Sequence, residues 1–174
     1  MFDRDSFTIE EWGQIISAPA AIGSLVVIAD LSGPLGLISE FRAIMNTMKE
    51  YTAANSANPL MGALQSYIST RPTKEEEDRL KEWAREQEAA MKGNRPETPE
   101  ELANRVHEIV DEVLAMIEGK GATAEDLSSY KNMMVVIAEN VANASKEGGF
   151  LGFGGTLVSD AEESALARIR AELS

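Results

Sequence analysis

Apolar residues recur along most of this chain at the three-to-four-residue spacing of an α-helix. Two stripes show it: Leu102, Val106, Ile109, Val113 and Ile117 in one, and Leu80, Trp83, Met91 with the weaker member Gln87 in the other. Residues 15–29 and 133–138 are apolar almost all the way round, which predicts two buried helices. No segment alternates with the two-residue period of a strand, so the pattern predicts an all-α fold.

Helix starts are marked by a Ser or Thr followed three residues later by an acid. In this capping box the hydroxyl and the carboxylate each satisfy a free backbone donor. The pairs are Thr8–Glu11, Thr73–Glu76, Thr98–Glu101, Thr123–Asp126 and Ser159–Glu162. The aspartate pair is expected to be the weakest, because its side chain is shorter. Helix starts and stops are also favoured by Pro34, Pro59, Pro99, Gly93, Gly119 and Gly148.

These signals predict a single all-α domain over residues 1–174 with about seven helices in a bundle. The predicted ranges are roughly 8–31, 34–54, 59–69, 73–92, 99–118, 123–146 and 159–173. The first and sixth helices are the most apolar, so we expect them to be the most buried pair.

The two apolar helices also resemble each other at an offset of 115 residues. The identities are Thr8/Thr123, Glu10/Glu125, Ile22/Ile137, Val26/Val141, Ala29/Ala144 and Gly33/Gly148. In both halves of the chain, the matched helix is followed by a glycine-containing corner and then by another helix. A degenerate duplication of a helical hairpin is therefore a hypothesis, and a bundle built from two hairpins would give it a simple physical meaning.

The net charge limits the kinds of partner that the chain can bind. Sixteen basic and 29 acidic residues give a net charge of −13. Nucleic acids and anionic membrane surfaces are disfavoured as partners, because both need clustered basic residues. The negative charge tolerates basic or cationic partners, and a homo-oligomer is compatible with the sequence.

Other features of the sequence limit where the protein is located and which chemistry it can perform. The greasiest run, residues 15–31, is short and contains Pro19, which is atypical of a membrane span. The acidic start is unlike a secretory signal, so a cytoplasmic protein is expected. Without cysteine, thiol catalysis is excluded. No cofactor is expected.

The segment "GGFLGFGG", Gly148 to Gly155, follows the sixth predicted helix. It is a poor phosphate loop, because no strand precedes it and no Lys-Ser/Thr follows. The favoured interpretation is a corner whose glycines permit positive φ while Phe150, Leu151 and Phe153 pack on the core. If these three side chains are exposed instead, they form a contact site for a partner.

Pro19 lies inside the first helix among small residues. A proline there removes one backbone hydrogen bond, and small neighbours let another helix approach closely. The favoured interpretation is a tight helix crossing. The alternative is an apolar pocket beside the proline, lined by Ala18, Pro19, Ile22 and Met134.

His107 is the sole histidine, and Asp111 follows it by one helical turn. That spacing can hold a hard metal ion or tune an imidazole. Asn104 stands where the di-iron signature of helical bundles places a glutamate. A histidine at the core boundary is therefore the favoured interpretation, with a metal site as the alternative. No nucleophile, base and orienting group occur together, so an enzyme is not favoured.

Residues 141–169, "VANASKEGGFLGFGGTLVSDAEESALARI", resemble the closing segment of a group of uncharacterised bacterial proteins of similar length. Those proteins share the glycine–phenylalanine loop followed by a Val-Ser-x-x-Glu helix start. Residues 10–23 are similar to their N-terminal segment. The resemblance implies a bacterial, soluble, all-helical protein and carries no catalytic or ligand residue. A looser similarity to tellurite-resistance-type domains lies in acidic, all-α character.

Three functions follow as expectations. The first is a non-enzymatic, stress-associated protein that acts through protein–protein contacts. The second is a small-molecule binder with the pocket beside Pro19. The third is a metal-dependent helical protein centred on His107 and Asp111.

Overall fold

The computed structural model describes residues 2–29, 36–93, 96–147 and 160–173. Over these residues the chain forms seven α-helices, a short 3-10 helix at Arg4–Ser6 and no β-strand. The helices are α1 (Ile9–Ala29), α2 (Gly36–Ala54), α3 (Pro59–Ser69), α4 (Lys74–Lys92), α5 (Pro99–Gly119), α6 (Ala124–Glu147) and α7 (Asp160–Leu173). The all-α prediction is confirmed, and the bounds agree closely with those expected.

Helices α1 and α6 form the centre of the bundle, as predicted. Helix α1 packs against α2, α4, α5, α6 and α7, whereas α6 packs against α1, α2, α3, α5 and α7. The two run in the same direction, because Ile15 contacts Tyr130 and Gly23 lies beside Val141. Every other helix except α4 adds buried apolar side chains to this pair.

The capping boxes form largely as the sequence predicts. At α1, the amide of Thr8 donates to Glu11 at 2.7 Å and the amide of Glu11 donates to the Thr8 hydroxyl at 3.2 Å. Helix α4 begins with the same two bonds, at Thr73 and Glu76. At α5, Thr98 accepts from Glu101, whose carboxylate accepts from Glu97 instead. The pair Ser159–Glu162 involves residues outside those described in full.

The cap of α6 contributes more than its sequence suggests, since Asp126 is 2% exposed. Its Oδ2 accepts from the amide and the hydroxyl of Thr123 at 2.9 and 2.7 Å. Its Oδ1 accepts from the amide of Leu60 at 3.4 Å, in the first turn of α3. Burial opposes ionisation of Asp126, but these hydrogen bonds outweigh it and hold its pKa below the ordinary value. Asp126 thus joins two helix starts.

The matched residues of α1 and α6 have matching burial. Positions 15, 18, 19, 22, 23 and 26 are buried, and so are positions 130, 133, 134, 137, 138 and 141, which lie 115 residues later. The hydrogen bond between Tyr130 and Ile15 joins two such equivalent positions. A duplication would produce this pattern, as would any two central helices, so the duplication stays a prediction.

We predict that Asp126→Asn lowers the free energy of unfolding by about 1–3 kcal/mol at pH 7, because amides of two helices lose a charged acceptor. Since the folded pKa lies below the ordinary value of about 3.9, the carboxylate stabilises the fold above that pH and loses its effect as the pH falls further. The deficit of the variant in urea unfolding should therefore stay nearly constant from pH 7 to about pH 5 and shrink as the pH falls below about 4.

The control is Glu125→Gln, an exposed acid in the same first turn of α6. It should cost less at pH 7. Equal costs for the two substitutions, or a pH-independent deficit for Asp126→Asn, would show that Asp126 does not join α3 to α6.

Candidate functional site

At Pro19, helix α1 lacks one backbone hydrogen bond, and a side chain of another helix replaces it. Pro19 has no amide hydrogen, so it cannot donate to the carbonyl of Ile15 one turn earlier. The hydroxyl of Tyr130, on α6, donates to that carbonyl at 2.6 Å. Tyr130 is fully buried, and burial raises its pKa far above the ordinary value, so the hydroxyl stays protonated as a donor.

The helices come very close together one turn beyond Pro19. A Cβ atom added to Gly23 would lie 3.0 Å from Cδ1 of Ile44 and 3.4 Å from Cγ2 of Val141, so α1, α2 and α6 meet there. Ala18, Ile22 and Met134 are at most 1% exposed. The geometry favours the tight-crossing interpretation. The pocket lined by these residues and Pro19 stays a prediction.

His107 pairs with a residue that sequence spacing did not suggest. Its Nδ1 lies 2.7 Å from Oε2 of Glu172 on α7, and both side chains are partly exposed. Asp111 is exposed on the same helix. Among the described residues no group of three or more His, Asp or Glu side chains is arranged to hold a metal ion. The His107–Asp111 metal site therefore stays a prediction, and the observed role of His107 is to link α5 to α7.

The predicted contact residues Phe150, Leu151 and Phe153 lie outside the described residues. Their role as a corner or as a partner site stays a prediction.

The N-terminal segment forms an aromatic cluster that the sequence analysis missed. Phe7 contacts Phe2 and Trp12, and Trp12 stacks on Tyr67 of α3 with ring centroids 4.7 Å apart. The guanidinium of Arg4 lies over the ring of Tyr67. Aromatic residues recur in the sequence at positions 2, 7 and 12, but no local sequence pattern indicates that Tyr67 is their partner.

Arg4 also connects this cluster to α4. Its Nη2 lies 2.7 Å from Oε1 of Glu76. The amide of Thr73 and the guanidinium of Arg4 together lower the pKa of Glu76 to about 2. The first turn of α4 is thereby tied to the N-terminal segment.

Among the described α-helices, α4 packs against α1 alone. Nη2 of Arg79 lies 2.6 Å from Oε1 of Glu10. The ring of Trp83 covers Gly13, where an added Cβ atom would lie only 2.9 Å from Cζ3. Because glycine has no side chain, position 13 leaves room for the ring of Trp83 to pack on α1.

Beyond Trp83, every side chain of α4 is exposed. The face that carries Leu80 and Trp83 continues through Ala84, Gln87, Ala90 and Met91. Met91 is 52% exposed, the large apolar side chain of the described residues most open to solvent. The second half of α4 is thus an apolar face without a partner, which makes it the strongest candidate contact site in the described structure.

Comparison of the chain with protein-family models, with curated proteins and with solved structures gave no match. Among the described helices, none combines the length and apolar character that crossing a bilayer requires.

We predict that Gly13→Ala displaces the Trp83 ring from α1, because the new methyl group would overlap it. Tryptophan emission should shift to longer wavelength, although the higher helix propensity of alanine, about 1 kcal/mol, offsets part of the loss in stability. The shift should vanish in a Trp83→Phe background, where the buried Trp12 alone remains.

Gly119→Ala is the matched control, since an added Cβ there meets nothing within 4 Å. An unshifted spectrum for Gly13→Ala, or the same shift for Gly119→Ala, would contradict the packing of Trp83 against Gly13.

Proposed function

We propose that this protein acts without catalysis, through protein–protein contacts, and that the second half of α4 is a contact element. The observation that supports this most directly is the exposed face of Ala84, Gln87, Ala90 and Met91, in which Met91 is 52% exposed. Solvent-exposed apolar faces of helices are the typical anchors of helix-mediated recognition.

The attachment of α4 fits this function. Its first half is fixed by Arg4, Glu10 and Gly13, which contact Glu76, Arg79 and Trp83. Its second half extends from that anchored base with its apolar residues turned outward. A rigid base reduces the conformational entropy that a partner must remove on binding.

The loop residues Phe150, Leu151 and Phe153 belong to the same proposal as a second contact element, on the strength of the sequence alone. A cytoplasmic, bacterial and stress-associated role is part of the proposal too; the resemblance of residues 141–169 to bacterial proteins supports the bacterial source.

The test is site-specific photo-crosslinking in the native host, with a photoreactive amino acid at position 91, at position 153 or at the exposed position 115 on α5. We predict discrete adducts, identified by mass spectrometry, from position 91 and not from position 115. Position 153 tests the loop separately.

Adducts of the same kind and yield at position 115, or none at either position 91 or position 153, would refute a function through these contacts. The unmodified chain at the same expression level controls for adducts unrelated to the photoreactive group.

A further inference from the structure

The methionines of the chain differ widely in their access to solvent. Among the described residues, Met91 is 52% exposed and is the one large apolar side chain that the fold leaves open. Met45 and Met116 are half-buried, and Met1 lies outside the described residues. The remaining four belong to the core and are 0% exposed: Met48, Met61, Met133 and Met134. A reagent that attacks thioethers from solvent therefore meets one open target and a shielded set.

Access to the sulfur decides how fast a methionine is oxidised, because a thioether carries no charge and no proton that the protein could tune. Hydrogen peroxide is small and neutral, so the net charge of −13 does not repel it. A lone pair of the sulfur attacks one peroxide oxygen as the O–O bond breaks. The sulfur becomes a sulfoxide, the other oxygen leaves as water, and the two electrons lost by sulfur reduce the peroxide.

The fold separates the two sets of methionines by what must happen before this step. Met133 and Met134 lie on the central helix α6, so an oxidant reaches them only when the bundle opens. Met91 is the penultimate residue of α4, on the half of that helix whose side chains are all exposed. Oxidation of Met91 therefore requires no unfolding.

Oxidation at this position changes the surface more than the interior. The exposed face of α4 consists of Ala84, Gln87, Ala90 and Met91, and Met91 is its one large apolar member. A sulfoxide is polar and accepts hydrogen bonds, so it removes most of the apolar character of this face. Because α4 has no buried residue, the core is left as it was.

We propose that Met91 is a site of reversible oxidation to methionine sulfoxide by peroxides, and that this modification makes the exposed face of α4 polar while the core methionines stay reduced. A dithiol-dependent reductase returns the sulfoxide to the thioether: the dithiol becomes a disulfide, and the sulfoxide oxygen leaves as water. The modification stands apart from the proposed function, because it needs no partner.

The test treats the full chain with hydrogen peroxide, folded and in guanidinium chloride, and follows each methionine by mass spectrometry of tryptic peptides. Met91 is the sole methionine of the tryptic peptide 86–92. We expect folding to slow its oxidation by less than about threefold, and to slow that of the four core methionines by more than about tenfold, because these wait for the structure to open.

Met91→Leu is the matched control for the effect on the surface. The peroxide dose that oxidises Met91 should make the unsubstituted chain elute earlier from a hydrophobic-interaction column and leave the elution of Met91→Leu unchanged. Methionine sulfoxide reductases with dithiothreitol should restore the original elution. The thermal unfolding midpoint should be the same before and after treatment, because the core is intact.

Protection of Met91 by more than about tenfold on folding, or oxidation of the core methionines as fast as Met91, would overturn the inference. The same change of elution in Met91→Leu would overturn it too. None of these results bears on the proposed function, which falls only if positions 91 and 153 fail to form specific crosslinks in the host.

Discussion

Pro19 removes an amide hydrogen from α1, one of the two central helices, and the hydroxyl of Tyr130 supplies a hydrogen bond in its place. A buried carbonyl without a partner costs about 1–3 kcal/mol, so this bond is a strong constraint on how the two helices meet. It sets the register between α1 and α6, around which α2, α5 and α7 are packed. Gly23 then allows α2 and α6 to close on α1 one turn further along.

The exposed half of α4 follows from the same arrangement. The sides of α1 that face α2, α5, α6 and α7 are occupied, and α4 reaches the remaining side at Gly13. Past that contact the side chains of α4 are exposed. The interior is thus fixed by a few specific polar contacts, while an apolar helical face stays available at the surface.

What the sequence could predict was local. Hydroxyl-then-acid pairs at Thr8 and Thr73 mark helix starts because each cap involves residues only three positions apart. The bonds from Tyr130 to Ile15 and from Leu60 to Asp126 join residues 115 and 66 positions apart, and no local pattern specifies such partners. His107 shows the same limit: spacing suggested Asp111, but the fold brings Glu172 to it. The apolar stripe through Trp83 and Met91 was visible in the sequence. Its division into a half that is covered and a half that is exposed depends on where α1 lies.

The most direct measurement is a double-mutant cycle of Pro19→Ala and Tyr130→Phe, followed by urea unfolding. With Pro19 present, loss of the hydroxyl should cost about 1–3 kcal/mol, because the Ile15 carbonyl is left without a partner. With alanine at position 19, the restored amide can donate to that carbonyl, and the cost of Tyr130→Phe should fall by more than about half. The same cost in both backgrounds would show that the tyrosine does not replace the bond that Pro19 removes, and would contradict this account of the central helix pair.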